Sequence, residues 1–157
     1  MVNRVTLGTL VLYLKDQAWE ENQGLLITNI DGLAPVSANI NITPYAAGDG
    51  GVFNSSRRDS RNIVVTMKLG KKPSMQYNRN KVYSACPIGD AIAVEFLFDD
   101  NTTKSTYGYV ESVTADYFGQ MEGIQVSIIC PNPDFIEDLP LEPTPDPDPD
   151  PEEPEEP

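Results

Sequence analysis

Any chemistry in this chain has to be done without histidine, because the sequence contains none. That absence removes the commonest general base and the commonest transition-metal ligand together. What remains are paired carboxylates, two thiols, a glycine cluster and a run of basic residues. Asp99-Asp100 and Glu20-Glu21 are the acid pairs, and two carboxylates can divide the acid and base roles of glycoside hydrolysis. Asp99-Asp100, however, opens the polar string Asp99-Asp100-Asn101-Thr102-Thr103, which reads as a hairpin tip. Solvation there is expected to keep both carboxylates near their ordinary pKa, and turn chemistry accounts for them.

Cys86 and Cys130 are the only cysteines and share no metal-ligand spacing, so a zinc site would need further carboxylates. They read as two buried thiols behaving as small hydrophobes. Gly48-Asp49-Gly50-Gly51 lacks both the GK[ST] ending and the following helix of a phosphate cradle, which leaves a flexible turn. No catalytic residue, metal ligand or cofactor site is assigned, and the chain is read as not an enzyme.

Eight basic residues lie between Arg57 and Lys81, namely Arg57, Arg58, Arg61, Lys68, Lys71, Lys72, Arg79 and Lys81, against the single acid Asp59. Such a run could hold nucleic-acid phosphates or pair with carboxylates of a neighbouring subunit. Only Phe53, Tyr77 and Tyr83 are aromatic nearby, thin for single-strand stacking. A solvated face with some interface pairs is the plain reading. Arg57, Arg58 and Arg61 stand out within it, because guanidinium forks suit carboxylates at interfaces.

The elements that must carry these residues are mostly strands. Val5–Leu14, Leu25–Ile30, Ala38–Ile42 and Ile63–Leu69 are alternating or β-branched runs bounded by Gly, Pro, Asn and Asp. Ile92–Phe98 and Thr106–Thr114 flank the polar tip as a hairpin. A last strand, Ile124–Cys130, stops at Pro131. Ser74–Cys86 breaks the rhythm: a capping serine follows Pro73, Met75, Arg79, Val82 and Cys86 recur on one helical face, and Pro87 ends it. Between Pro44 and Ser60 a Gly- and Ser-rich stretch with Val52 and Phe53 at its middle is too long for a tight turn. It is the candidate for an arm that reaches a neighbour.

The formal charge of −13 belongs largely to one end. The segment from Ile136 onward holds ten acids and no base, leaving 14 acids against 11 bases in the body. Residues 1–136 are expected to form one β-rich domain, mainly β, a β-sandwich or partly closed barrel of about seven strands with one flanking helix and an extended loop or hairpin arm. Residues 137–157, with alternating proline and acid, are expected to be an extended, solvated spacer outside that fold. It could tether a neighbour, keep like-charged DNA away or simply solubilise. The N-terminus lacks a signal-peptide pattern and no apolar run approaches the roughly twenty residues of a membrane span. Cytoplasmic synthesis and no membrane insertion are therefore expected.

In order along the chain, GLLITNIDGLAPVSANINI and DGGVFNSSRRDSRNIVVTMKL resemble the N-terminal half of phage distal tail proteins. Those pair an "I-x-G-L-x-P" segment with a "DG…F-x-S-R…R-x-I" arm. The matching positions are Ile30, Gly32, Leu33, Pro35, Asp49, Gly50, Phe53, Ser56, Arg57, Arg61 and Ile63. The closing string Ile128-Ile129-Cys130-Pro131-Asn132-Pro133 is similar to the family's "I-x-C-P-x-P" strand end. The resemblance covers about Leu25 to Phe135.

It implies a β-sandwich with a flanking helix and an extended hairpin, assembled as a six-fold ring between tail tube and tip or baseplate, with DNA passing through the lumen without specific binding. Location in the virion tail, after assembly in the host cytoplasm, is implied with it. Asp49, Val52, Phe53, Arg57, Arg58 and Arg61 are the expected subunit-interface residues, Val52 and Phe53 packing on the next copy and the arginines meeting its carboxylates. Family members commonly continue into a second β-rich domain, whereas this sequence runs into the Pro-acid segment, which puts receptor binding in doubt. A carbohydrate- or surface-binding β-sandwich is the alternative, with Trp19, Tyr45, Tyr107, Tyr109 and Tyr117 available for a platform.

Overall fold

The computed structural model describes residues 1–15, 18–118 and 122–138. The expected acidic spacer lies outside the described residues from 139 onward. Ten strands and one helix run in the order β1 (Val2–Leu7), β2 (Leu10–Tyr13), β3 (Leu25–Asp31), β4 (Ala38–Pro44), β5 (Gly51–Arg58), β6 (Arg61–Leu69), α1 (Met75–Ala85), β7 (Ala91–Phe98), β8 (Thr103–Ala115), β9 (Gly123–Cys130) and β10 (Ile136–Asp138).

Eight strands form one antiparallel sheet in the order β2-β1-β7-β8-β9-β6-β3, with β10 added to β8, and β4 pairs only β5. The pivot is β8. Its first half pairs β7 from Thr103 to Tyr109, and its second half pairs β9 from Tyr109 to Ala115, with a register shift at Glu111. A bulge there increases local twist and lets one long strand serve two layers. Apolar residues from both halves share one core, including Val5, Leu7, Leu12 and Phe96 from one side and Ile63, Val65, Met67 and Val126 from the other. The result is a sandwich-like β fold that does not close into a barrel. Burying each such side chain contributes about 1.5–3 kcal/mol.

The edge strand β2 is tied by a side chain to the turn that precedes β3. The Asn22 amide donates to the Tyr13 carbonyl and accepts from the Tyr13 amide, both at 2.8 Å. One asparagine thereby stands in for a strand partner on β2.

Two expectations need correction. The run Val5–Leu14 is a hairpin, because Gly8 takes φ +57 and reverses the chain before Leu10 pairs Leu7. Ala38–Ile42 is not a body strand: it pairs the supposed loop and leaves the sheet. The short β10 pairs β8, with Ile136 opposite Ser105, Glu137 opposite Lys104 and Asp138 opposite Thr103. The helix and the β7–β8 hairpin stand where they are expected, Ser74 Oγ accepting from the Tyr77 amide at 3.1 Å as N-cap.

Candidate functional site

The arm is a two-stranded ribbon, β4 against β5, and every residue of β4 is exposed. Cross-strand partners share a face. Ile42 faces Phe53 and Ile40 faces Ser56, while Thr43 faces Val52 and Asn39 faces Arg57. A register shift between Asn41 and Ile42 leaves Asn54 as the extra residue, and its amide donates to Thr43 Oγ1 at 2.6 Å. That bulge brings Phe53 into line with Ile40 and Ile42. One side of the ribbon is therefore an apolar stripe, Ile40, Ile42 and Phe53, each more than half exposed. The other side carries Asn39, Asn41, Thr43 and Arg57. Ribbons of two strands are marginal alone in water, which makes the exposed apolar stripe the candidate contact surface.

Sequence reading placed Val52 beside Phe53 on one contact, but the two lie on opposite faces. It missed Ile40 and Ile42, whose alternation reads as a core strand because pattern alone does not reveal what covers a face. Asp49 sits in the exposed turn between Gly48 and Gly50, at φ +104 and +93. Arg57 is exposed on the polar face and forms no ion pair among the described residues.

Both Arg58 and Arg61 are engaged by partners within the chain, Arg58 while remaining exposed. Arg58 makes a two-pronged bond to Asp134, at 2.6 and 2.8 Å. This holds the Asp134 carboxyl below its ordinary range, the hydrogen bond first and the guanidinium charge after it. Arg61 is buried. Its Nε and Nη2 donate to the Pro133 carbonyl at 2.9 and 2.7 Å, and its Nη1 donates to the carbonyls of Ala34, at 2.7 Å, and Gly32. The guanidinium also stacks 4.2 Å from the centre of the Phe135 ring, which meets Phe96 edge to face. Gly32 takes φ +92, and a Cβ there would overlap the Asn62 carbonyl. Three short strings distant in sequence thus meet at one point: the segment after β3, the start of β6 and the string after β9. Together they fix the base of the arm to the body.

The rest of the basic run disperses. Arg79 is buried, ion-paired to Glu122 and stacked 4.0 Å over Tyr117. Lys71, Lys72 and Lys81 line a groove on the side of the sheet where β6 ends. The aromatic platform is not assembled: Trp19 belongs to that groove, Tyr45 to the arm and Tyr117 to Arg79. Tyr107 and Tyr109 alone share a strand face, on β8.

The candidate chemical groups are tied up structurally. Asp100 accepts from the Thr102 amide at 2.9 Å, and Asp99 accepts from the Met1 ammonium at 2.7 Å. Both carboxyls are held below their ordinary range by these hydrogen bonds, not near it as expected. Cys86 and Cys130 are buried and free. Burial pushes the Cys86 thiol up to about 11 and raises Cys130 as well, so both stay protonated at neutral pH and are poor nucleophiles. Among the described residues no three His, Cys, Asp or Glu side chains cluster for a metal, and no helix is long and apolar enough to cross a membrane.

These features define a class, an antiparallel sandwich-like body with a helix on one flank and a projecting ribbon. The crystal structure of the Dit protein of phage SPP1 is similar in fold, with a TM-score of 0.55 at 16% identity over 71% of this chain. That protein is described as a paradigm of the hub adsorption apparatus in phages that infect Gram-positive bacteria. The match spans 46% of its length, less than half. No protein-family model and no curated protein matches the sequence.

Proposed function

We propose that this chain is a structural protein of a phage tail. Six copies form a ring at the distal end of the tail tube and join it to the tip or baseplate, and DNA passes through the lumen without specific binding. The protein resides in the virion tail after assembly in the host cytoplasm. The observation that carries this reading is the anchored arm, an apolar stripe held out from a body similar in fold to SPP1 Dit. A ring needs two different surfaces that close by rotation, and a ribbon whose base is fixed by Arg61 presents one of them in a defined direction. A stable contact of this kind buries on the order of 800 Å² per partner.

Ile40, Ile42 and Phe53 are the apolar anchors in this reading, Arg57 and Asp49 are its polar contacts, and Val52 rests against the opposite side. Arg58 and Arg61 serve it from within by holding the base. Negative-stain microscopy of the purified protein tests the proposal: six-fold rings are expected, and single globular particles at every concentration overturn it. Deleting Gly48 to Asn54 should abolish the rings, whereas rings of wild-type mass from that variant remove the arm from the contact.

A further inference from the structure

Along the sequence the basic run is short of aromatic partners, and the fold supplies one from outside it. Trp19 lies half-buried in the wall of a groove of about 760 Å³ at the end of β6, away from the arm, with Leu69, Lys71, Lys72 and Lys81 around it. A smaller depression of about 440 Å³ shares Gln23 and Lys81 with that groove and carries Tyr77, Asn80 and Ser84 of α1. Lys81 stands at the junction: its Nζ donates to the Gln23 carbonyl at 3.0 Å and lies 4.8 Å from the centre of the Tyr77 ring. Tyr77 is itself more than half exposed.

Charge at this junction is one-sided. Lys71, Lys72 and Lys81 form no ion pair among the described residues, α1 contains no acidic residue, and Glu20 is the one acid that lines either depression. The loop bearing Lys71 and Lys72 is held by the fully buried Asn78, whose amide donates to the carbonyls of Gly70 and Lys72 at 2.9 and 3.1 Å.

We propose that the two joined depressions bind single-stranded nucleic acid without regard to sequence. One base stacks on Trp19 and the next on Tyr77, and the phosphates between them meet Lys71, Lys72 and Lys81. Aromatic side chains accept any base, because every base has a π-face, and lysine meets phosphate as a point charge. A chain of anionic groups alternating with flat rings matches cations set between two aromatic side chains. A duplex keeps its bases inside the stack, and an acidic peptide answers the charge but leaves both aromatic side chains without a planar partner. The proposal does not depend on the six-fold assembly.

Trp19 is the only tryptophan, so its emission reports on the groove directly. The full chain is titrated at low salt with a short oligothymidylate, an oligouridylate, an abasic deoxyribose-phosphate oligomer of equal charge, and polyglutamate. Saturable quenching of Trp19 by oligothymidylate or oligouridylate is expected, the tighter of the two naming the sugar that the groove takes. The abasic oligomer should bind at least about tenfold more weakly, because it cannot stack. A tenfold rise in salt should weaken binding about 25-fold or more, as two or more phosphates are neutralised. Lys71→Glu/Lys72→Glu and, separately, Tyr77→Ser should each weaken it about fivefold or more at an unchanged unfolding midpoint. Absence of saturable quenching by both base-bearing oligomers overturns the proposal, as does full affinity in both variants. Equal affinity for the abasic oligomer overturns it by reducing the site to a charge patch, and equal affinity for polyglutamate by assigning the groove to an acidic protein partner.

Discussion

Arg61 and Pro133 are 72 residues apart, and two nitrogens of the Arg61 guanidinium donate to the single Pro133 carbonyl, at 2.9 and 2.7 Å. The remaining nitrogen reaches the carbonyls of Gly32 and Ala34 on the other side of the arm's entrance. One side chain thus fixes both the point where the chain leaves the body for β4 and the string that follows β9. The ribbon's direction depends on this knot and on the Arg58–Asp134 pair, because its two strands pair with no other strand.

Arg61→Ala should therefore destabilise the body by about 3 kcal/mol, since it removes a buried guanidinium that donates to three carbonyls in part-buried hydrogen bonds. Arg61→Lys should recover only part of that, because a lysine cannot fork. Urea unfolding of the two variants measures it, and a loss below about 1 kcal/mol for the alanine variant contradicts the role.

Gly32→Ala should cost about 2 kcal/mol or more. The position has φ +92 and no room for a Cβ beside the Asn62 carbonyl. Thermal unfolding of the variant gives the shift, and Gly48→Ala at the open arm tip is its control for backbone strain without a clash.

The Arg58–Asp134 pair should make stability fall with acid in a defined window. A carboxyl whose folded pKa is lowered contributes fully above its unfolded value of 3.8 and loses the contribution as pH drops through the folded value. Arg58, with its pKa raised, stays charged throughout this range. The difference in melting temperature between wild type and Asp134→Asn should thus be constant from pH 7 to about 5 and shrink below pH 4. A difference that persists unchanged at pH 2.5 contradicts the pairing.

Neither thiol should react in the native state. Cys86 and Cys130 are 1% and 0% exposed, and burial holds both protonated. Iodoacetamide at pH 8 should label neither in the folded protein and both in urea. Rapid labelling of the folded protein would show that a thiol is accessible after all.

The parts of the fold legible in the sequence are those whose signal is local. Ser74 before the helix and Pro87 after it mark α1, and the alternation of β7 and β8 around Asp99–Asn101 marks their hairpin. The arm was only half legible: Val52, Phe53 and the glycines suggest a projection. The strand character of Gly51–Arg58 is masked by the extra residue Asn54, which breaks the period of two. Ile40 and Ile42 look like core because burial is a property of what packs on a strand, not of the strand itself. Arg61 reads as surface charge for a related reason: nothing near it in sequence announces the Pro133 carbonyl. The three-residue β10 is too short to show any period.

The account rests most directly on the apolar stripe as an assembly contact. Light scattering of Ile42→Asp/Phe53→Asp beside the wild type tests it, because both residues are exposed and the charges should leave the unfolding midpoint of the body almost unchanged. The expected result is a six-chain mass for the wild type and a single-chain mass for the variant. A variant that keeps the wild-type mass, or a wild type that stays single-chain at high concentration, contradicts the account.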